Sequence, residues 1–245
     1  MMVKDHDFKQ ILSTDISLIS LSNFVNFIVS DKNFSVAVCN VNSLVAADKS
    51  SEFNKILNSF DFRVADGMPL VWYLRLRKCK QERLNGAKIF HNVIKTGIDK
   101  NLTHYFLGSS DDVLTKMKKN LYKKYPQIII DGSWAPPLTD VKTITEQVRL
   151  KRDEIEKSDI LWVGLGMPKQ EELISMIEDF DISKIGVGAV FEWVAETKKQ
   201  APVVIQKIGF EWLFRLLTEP KRLWKRYLFD FIYLLQFPFN YRKKM

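Results

Sequence analysis

The segment Ile160-Leu161-Trp162-Val163-Gly164-Leu165-Gly166-Met167-Pro168-Lys169-Gln170-Glu171 joins an apolar run to a glycine turn and then to a polar helix start. Residues 160–163 have the make-up of a fully buried strand, Gly164 and Gly166 let the backbone turn and come close to a ligand, and Pro168 suits the first helical position. The free N–H groups of such a helix start, with the Lys169 ammonium beside them, suit a phosphate. A plain strand-to-helix turn explains the same residues, because this is not the Gly-x-Gly-x-x-Gly of dinucleotide folds. A second group able to do chemistry is Asp66, in Val64-Ala65-Asp66-Gly67-Met68-Pro69, a carboxylate at a glycine turn that opens a helix. It reads as an N-cap or as a general base.

Other chemistries find little support. His6, His91 and His104 are scattered and show no metal-ligand spacing. Two Asp-x-Asp triplets, Asp5-His6-Asp7 and Asp179-Phe180-Asp181, have the form of a divalent-cation site for a sugar nucleotide. The first lies at the chain terminus, and the second precedes the strand at Ile185, at the edge of the sheet opposite the expected ligand cleft. No Gly-x-Ser-x-Gly elbow is present.

These residues need a scaffold. Strands are expected at 35–39, 104–107, 128–130, 160–163 and 185–190, and helices at 43–58, 69–77, 87–98, 111–125, 141–157 and 169–178. That alternation predicts an α/β fold, a Rossmann-like, mostly parallel sheet flanked by helices. Ligands of such sheets gather at the carboxyl ends of the strands. Turn chemistry falls there at Cys39-Asn40, Leu107-Gly108-Ser109-Ser110, Val163-Gly164-Leu165-Gly166 and Gly186-Val187-Gly188-Ala189.

The chain has 245 residues and a formal charge of +8, unevenly placed. Residues 198–245 hold 11 lysines and arginines against 3 acids, which leaves the rest of the chain balanced at 26 of each. The expected division is a catalytic body over 1–196 and a helical, basic, aromatic-rich appendage over 197–245. In the appendage, Phe, Trp and Tyr interleave with Arg215, Lys221, Arg222, Lys225 and Arg226, on two helices at 210–217 and 220–233. Packing on the body, nucleic-acid binding and membrane contact are the three options. With no nucleic-acid module evident, an anionic bilayer surface fits this composition best. Two cysteines, Cys39 and Cys79, without a paired pattern suit a reducing cytoplasm. Neither a secretion signal nor a run of about 18 apolar residues is present.

Taken together, the chain resembles the WecG/TagA/CpsF glycosyltransferases, glycosyltransferase family 26. The landmarks are Cys39-Asn40-Val41-Asn42-Ser43-Leu44-Val45, Ala65-Asp66-Gly67-Met68, Glu82-Arg83-Leu84-Asn85-Gly86, Phe106-Leu107-Gly108, the 160–171 segment, Gly186-Val187-Gly188-Ala189-Val190-Phe191-Glu192, and Gly209-Phe210-Glu211-Trp212-Leu213-Phe214-Arg215 followed by Glu219-Pro220-Lys221-Arg222. The resemblance implies inverting, metal-independent transfer of a sugar, often an N-acetylhexosamine such as N-acetylmannosamine, from a UDP donor to a polyprenyl-diphosphate-linked acceptor. Such an enzyme sits in the cytoplasm, peripherally on the inner face of the membrane, and the family suggests self-association.

By the same resemblance the catalytic positions are Asp66 and Asn40. Gly108, Gly164, Gly166, Lys169, Gln170, Gly188 and Glu192 line the donor cleft, and Arg83, Arg215, Arg222 and Arg226 meet diphosphate, acceptor or membrane. The chain departs from the family pattern at Val38, where a threonine is common, at Glu192, where an aspartate is, and at Glu196, where a glycine is. A nucleotide-binding oxidoreductase would use the same strand-turn-helix logic but lacks its fingerprint here. A non-catalytic, nucleotide-binding membrane adaptor would have no need of Asp66 and Gln170 in one cleft.

Overall fold

A computed structural model describes residues 6–207 and 209–241, without the side chains of Val203, Lys207, Arg222 and 234–241. Asp5 and residues 242–245 lie outside the described residues. The chain opens with a hairpin, β1 (Asp7–Ile11) and β2 (Thr14–Leu18), followed by α1 (Leu21–Ile28). The main sheet consists of β3 (Ser35–Cys39), β4 (Phe62–Ala65), β5 (Thr103–Gly108), β6 (Ile129–Trp134), β7 (Ile160–Gly164) and β8 (Ser183–Gly186). Between and after these strands run α2 (Val41–Lys49), α3 (Ser51–Ser59), α4 (Met68–Leu76), α5 (Gly86–Gly97), α6 (Asp111–Lys124), α7 (Val141–Leu150), α8 (Arg152–Ile155), α9 (Lys169–Met176) and α10 (Val190–Val194). The C-terminal segment carries α11 (Val203–Lys207), α12 (Glu211–Thr218) and α13 (Pro220–Tyr241).

The sheet order is β4-β3-β8-β7-β5-β6, and every neighbouring pair is parallel. This is the expected α/β architecture. Strands such as Ile-Leu-Trp-Val-Gly are apolar on both sides because helices cover both faces of a parallel sheet. Leu44, Leu57, Leu70, Ile144 and Leu173, from α2, α3, α4, α7 and α9, pack on one face. Phe24, Phe90, Leu114 and Phe191, from α1, α5, α6 and α10, pack on the other. The neighbours β3 and β8 therefore hand the chain to opposite faces, which opens a crevice at their carboxyl ends.

Several elements differ from expectation. The hairpin, α1 and β4 have no counterpart in the sequence pattern; Arg63 interrupts the apolar run of β4 and is buried all the same. The stretch 43–58 divides at Ser50, whose hydroxyl caps α3 by accepting from Phe53 N at 3.2 Å. The stretch 141–157 divides at Lys151. Strand 185–190 stops at Gly186, and Gly188 then turns the chain with φ +58°. Pro168 is the N-cap of α9, one place earlier than expected. Beyond Pro220 a single helix runs on to Tyr241.

The tail packs back on the body: Leu223 is buried, Asn42 Nδ2 donates to Asp230 Oδ1 at 3.2 Å, and Tyr233 OH donates to Asp48 Oδ2 at 2.6 Å. No helix among the described residues is long and apolar enough to cross a membrane.

Candidate active site

Asp66 and Asn40 sit level with each other just past the ends of β4 and β3. The pairing of Cys39 with Ala65 sets that register, and Asp66 N extends it by donating to Cys39 O at 2.7 Å. Gly67, with φ +98°, turns the chain into α4 and is itself the N-cap, with no side chain capping the helix. Asp66 is thus released from capping, and Arg83 holds it instead. Nε and Nη2 of Arg83 both donate to Asp66 Oδ1 at 3.0 Å, and Nη2 also donates to Glu211 Oε2 at 2.6 Å. Glu211 Oε1 accepts in turn from Arg215 Nη2 at 2.6 Å, and the Arg215 guanidinium lies 4.5 Å from the Trp193 ring centre.

Asp66 Oδ2 has no hydrogen-bond partner among the described residues, while the side chain keeps 18% exposure. Burial raises the Asp66 pKa above the ordinary carboxylate value; Arg83 opposes the rise, Glu211 adds to it, and Arg215 opposes it. A carboxylate anchored through one oxygen, open through the other and made more basic by burial is suited to taking a proton.

Asn40 does a different job. Its Oδ1 accepts from Ser43 N at 3.2 Å, and the Ser43 hydroxyl closes a capping box at the start of α2. Side-chain capping thus occurs at Asn40, on α2, and not at Asp66.

The glycine loops complete the rim. A Cβ on Gly108 would lie 2.5 Å from Gly164 O, and one on Gly164 would lie 2.6 Å from the Phe191 ring, so these two glycines permit close packing of strand ends and α10. Gly166, with φ +76°, faces open space. Gln170 is buried: Oε1 accepts from Gly188 N at 3.0 Å and Nε2 donates to Glu171 Oε1 at 2.8 Å, which ties the β7 loop to the β8 loop. The N–H of Gln170 is taken by Gly166 O at 3.1 Å, and Lys169 Nζ donates to Thr139 O at 2.7 Å. Glu192 lies in the first turn of α10, with Lys198 3.7 Å from Oε1 and Oε2 buried without a partner among the described residues.

The sheet therefore brings Asp66, Asn40, Gly188, Gln170, Gly166 and Gly108 to one rim, across β4, β3, β8, β7 and β5. At about 4.8 Å per strand, β4 and β7 stand roughly 14 Å apart. Arg215 reaches this rim through Glu211 and Arg83. Arg226 lies over Tyr227 and keeps a buried Nε without a partner among the described residues. The Arg222 side chain lies outside the described residues. Glu211, which stands in a family landmark, and Trp193 were not assigned to the site; the i, i+4 spacing of Glu211 and Arg215 is a further sequence signal for the former.

The Asp-x-Asp pair is elsewhere. Because β8 lies inside the sheet, Asp179 and Asp181 stand at its opposite end rather than at an opposite edge. Asp179 is held there by Arg149 and Arg152. Among the described residues no cluster of three or more His, Cys, Asp or Glu has a metal-binding arrangement.

A parallel Rossmann-like sheet with a carboxylate and glycine loops on its carboxyl rim is an α/β architecture that takes ligands in the crevice at its strand ends. The family model described as "Glycosyl transferase WecG/TagA/CpsF family" matches residues 9–244, and the chain belongs to that family. Among curated relatives, the N-acetylglucosaminyldiphosphoundecaprenol N-acetyl-beta-D-mannosaminyltransferase of Staphylococcus aureus strain MRSA252 is 30% identical over 197 residues, covering 79% of this chain and 76% of the relative. The protein of the same name from strain NCTC 8325 / PS 47 is 29% identical over the same span.

Proposed function

We propose that this chain transfers an N-acetylhexosamine, N-acetylmannosamine foremost, from a UDP-sugar to a polyprenyl-diphosphate-linked N-acetylglucosamine, with inversion, in the synthesis of a cell-surface polysaccharide. The names of the relatives support the transferred sugar and the acceptor. The one-sided engagement of Asp66 supports the chemistry.

In this mechanism Asp66 Oδ2 takes the proton of an acceptor hydroxyl while that oxygen attacks the anomeric carbon from the face opposite UDP. The bond from that carbon to the diphosphate oxygen breaks, and UDP leaves with the electron pair. General base assistance of this kind is worth about 10²–10⁴ in rate. The diphosphate charge is met by Arg215 and Arg226, guanidinium being suited to bidentate phosphate contact, so no divalent cation is required. Gln170 acts by holding the two glycine loops at the donor side of the rim. The tail, with exposed Trp212, Trp224, Phe229 and Ile232 beside Lys221 and Lys225, seats the enzyme peripherally on the inner face of the membrane.

Transfer from UDP-N-acetylmannosamine to a synthetic lipid-diphosphate acceptor, with the product followed by NMR, tests the proposal. Inversion at the anomeric centre and an undiminished rate in excess EDTA are expected. Retention, or a loss in EDTA restored by Mg²⁺ or Mn²⁺, would contradict it.

A further inference from the structure

Helix α4 starts directly behind Asp66 and turns an unpartnered face outward. Trp72, Arg75 and Leu76 share that face by their spacing of three and four, with Trp72 42% and Leu76 84% exposed. Residues 75–80 contain four cations and no acid: Arg75, Arg77, Lys78 and Lys80, all exposed. Neither Lys78 nor Lys80 has an ion-pair partner among the described residues. Lys78, with φ +62°, reverses the chain, and the turn is held in place by Gln81, which exchanges two hydrogen bonds with Ile19 at 3.1 and 3.0 Å. An open cavity of about 520 Å³ lies here, lined by Arg75, Lys78 and Lys80 together with Ser20, Gln81 and Glu82.

This face runs into the tail. Trp72 and Met68 lie so close to Gly209 that a Cβ there would come within 3.1 and 2.6 Å of them. The next residues, Phe210 and Trp212, are 43% and 39% exposed. Indole, leucine and phenylalanine side chains beside unpaired cations are the chemistry of a bilayer interface rich in anionic headgroups. A two-fold contact between copies of the chain would instead set the same four cations against themselves, which disfavours a second copy as the occupant.

We propose that the outer face of α4 and its cationic turn form a second lipid-contacting surface that takes anionic phospholipid headgroups, continuous with the tail. The inference rests on the membrane role proposed above for the tail. Its consequence is mechanical: α4 begins at the residue after Gly67, and the loop that follows it returns to Arg83, so seating this face on the bilayer fixes the height of Asp66 and its arginine over the lipid acceptor.

The test uses the full chain with Leu76→Cys and Cys79→Ser, labelled with an environment-sensitive fluorophore, beside a control labelled at Leu150→Cys at the far end of α7. Phosphatidylglycerol-containing vesicles should float the protein, shift the Leu76 probe to the blue and expose it to quenching by spin-labelled lipid, with the Leu150 probe unmoved. Lys78→Ser with Lys80→Ser should weaken partitioning into these vesicles by on the order of fivefold per cation removed. Flotation with the Leu76 probe still in water overturns this inference and leaves the tail proposal standing; failure to float overturns both. A Leu76 probe already buried before vesicles are added, with a doubled mass by light scattering, overturns it in favour of a dimer. Unchanged partitioning of the lysine variant overturns the headgroup assignment.

Discussion

Both ends of the central sheet carry an aspartate held by arginine, and the two could hardly differ more in what they can do. At the amino end, Arg149 donates to both Asp179 oxygens at 2.9 and 3.1 Å and Arg152 adds a contact at 2.9 Å, all with 39–46% of the side chains exposed. Hydrogen bonding from Arg149 holds the Asp179 carboxyl below its ordinary range. At the carboxyl end, Arg83 is nearly enclosed, one Asp66 oxygen has no partner among the described residues, and burial pushes the carboxyl the other way. Identical residue types thus give a satisfied surface clamp in one place and, in the other, a half-engaged carboxylate with the character the proposed base requires. The difference lies in enclosure and in the spare oxygen.

The comparison makes Asp66→Asn the most damaging single change. Turnover should fall at least about 100-fold while calorimetry finds UDP affinity little altered; a smaller loss would reduce Asp66 to a structural anchor.

A third carboxylate sharpens the point about enclosure. Glu171 is buried beside Gln170 with Oε2 unpartnered among the described residues, and burial raises its pKa to about 7. The folded form therefore holds this proton more tightly than the unfolded chain does, so the group's contribution to stability is full below the unfolded value near 4.5 and is lost as pH rises through about 7. Glu171→Gln, which mimics the protonated acid, should match the parent at pH 4.5 and exceed it at pH 8 by on the order of 3 kcal/mol in urea unfolding. An equal offset at both pH values would refute this. The smallest effect belongs to the amino-end clamp. Asp179→Asn should cost no more than about 1 kcal/mol and leave turnover alone, whereas a collapse of activity would revive the Asp-x-Asp site.

How legible these features were in the sequence depended on how local their causes are. The strands 35–39 and 160–164, the asparagine turn after the first, the glycine turn after the second and the helix after each are written in contiguous residues, and the structure places them there. β4 escaped because Arg63 looks like surface; its guanidinium is satisfied by the carbonyls of Asp15 on the hairpin and Asn58 on α3, an arrangement that only the fold creates. Capping was visible as a possibility at Asp66, yet Gly67 is the N-cap of α4 and leaves that helix without a side-chain cap, while Asn40 caps α2. The partnership of Arg83 with Glu211 spans 128 residues, and no spacing rule reaches that far. What sequence supplied was the inventory of a site. The wiring that tunes it came from tertiary packing.

The central claim is that Asp66 is a base whose proton affinity burial raises and two neighbours tune, and the acid limb of the kcat/KM–pH profile measures this most directly. Arg83 lowers the Asp66 pKa and Glu211 raises it. Arg83→Gln should therefore move the limb to higher pH, and Glu211→Gln should move it to lower pH. If both substitutions merely reduce the rate with the limb fixed, or shift it in the same direction, Asp66 is not the titrating base.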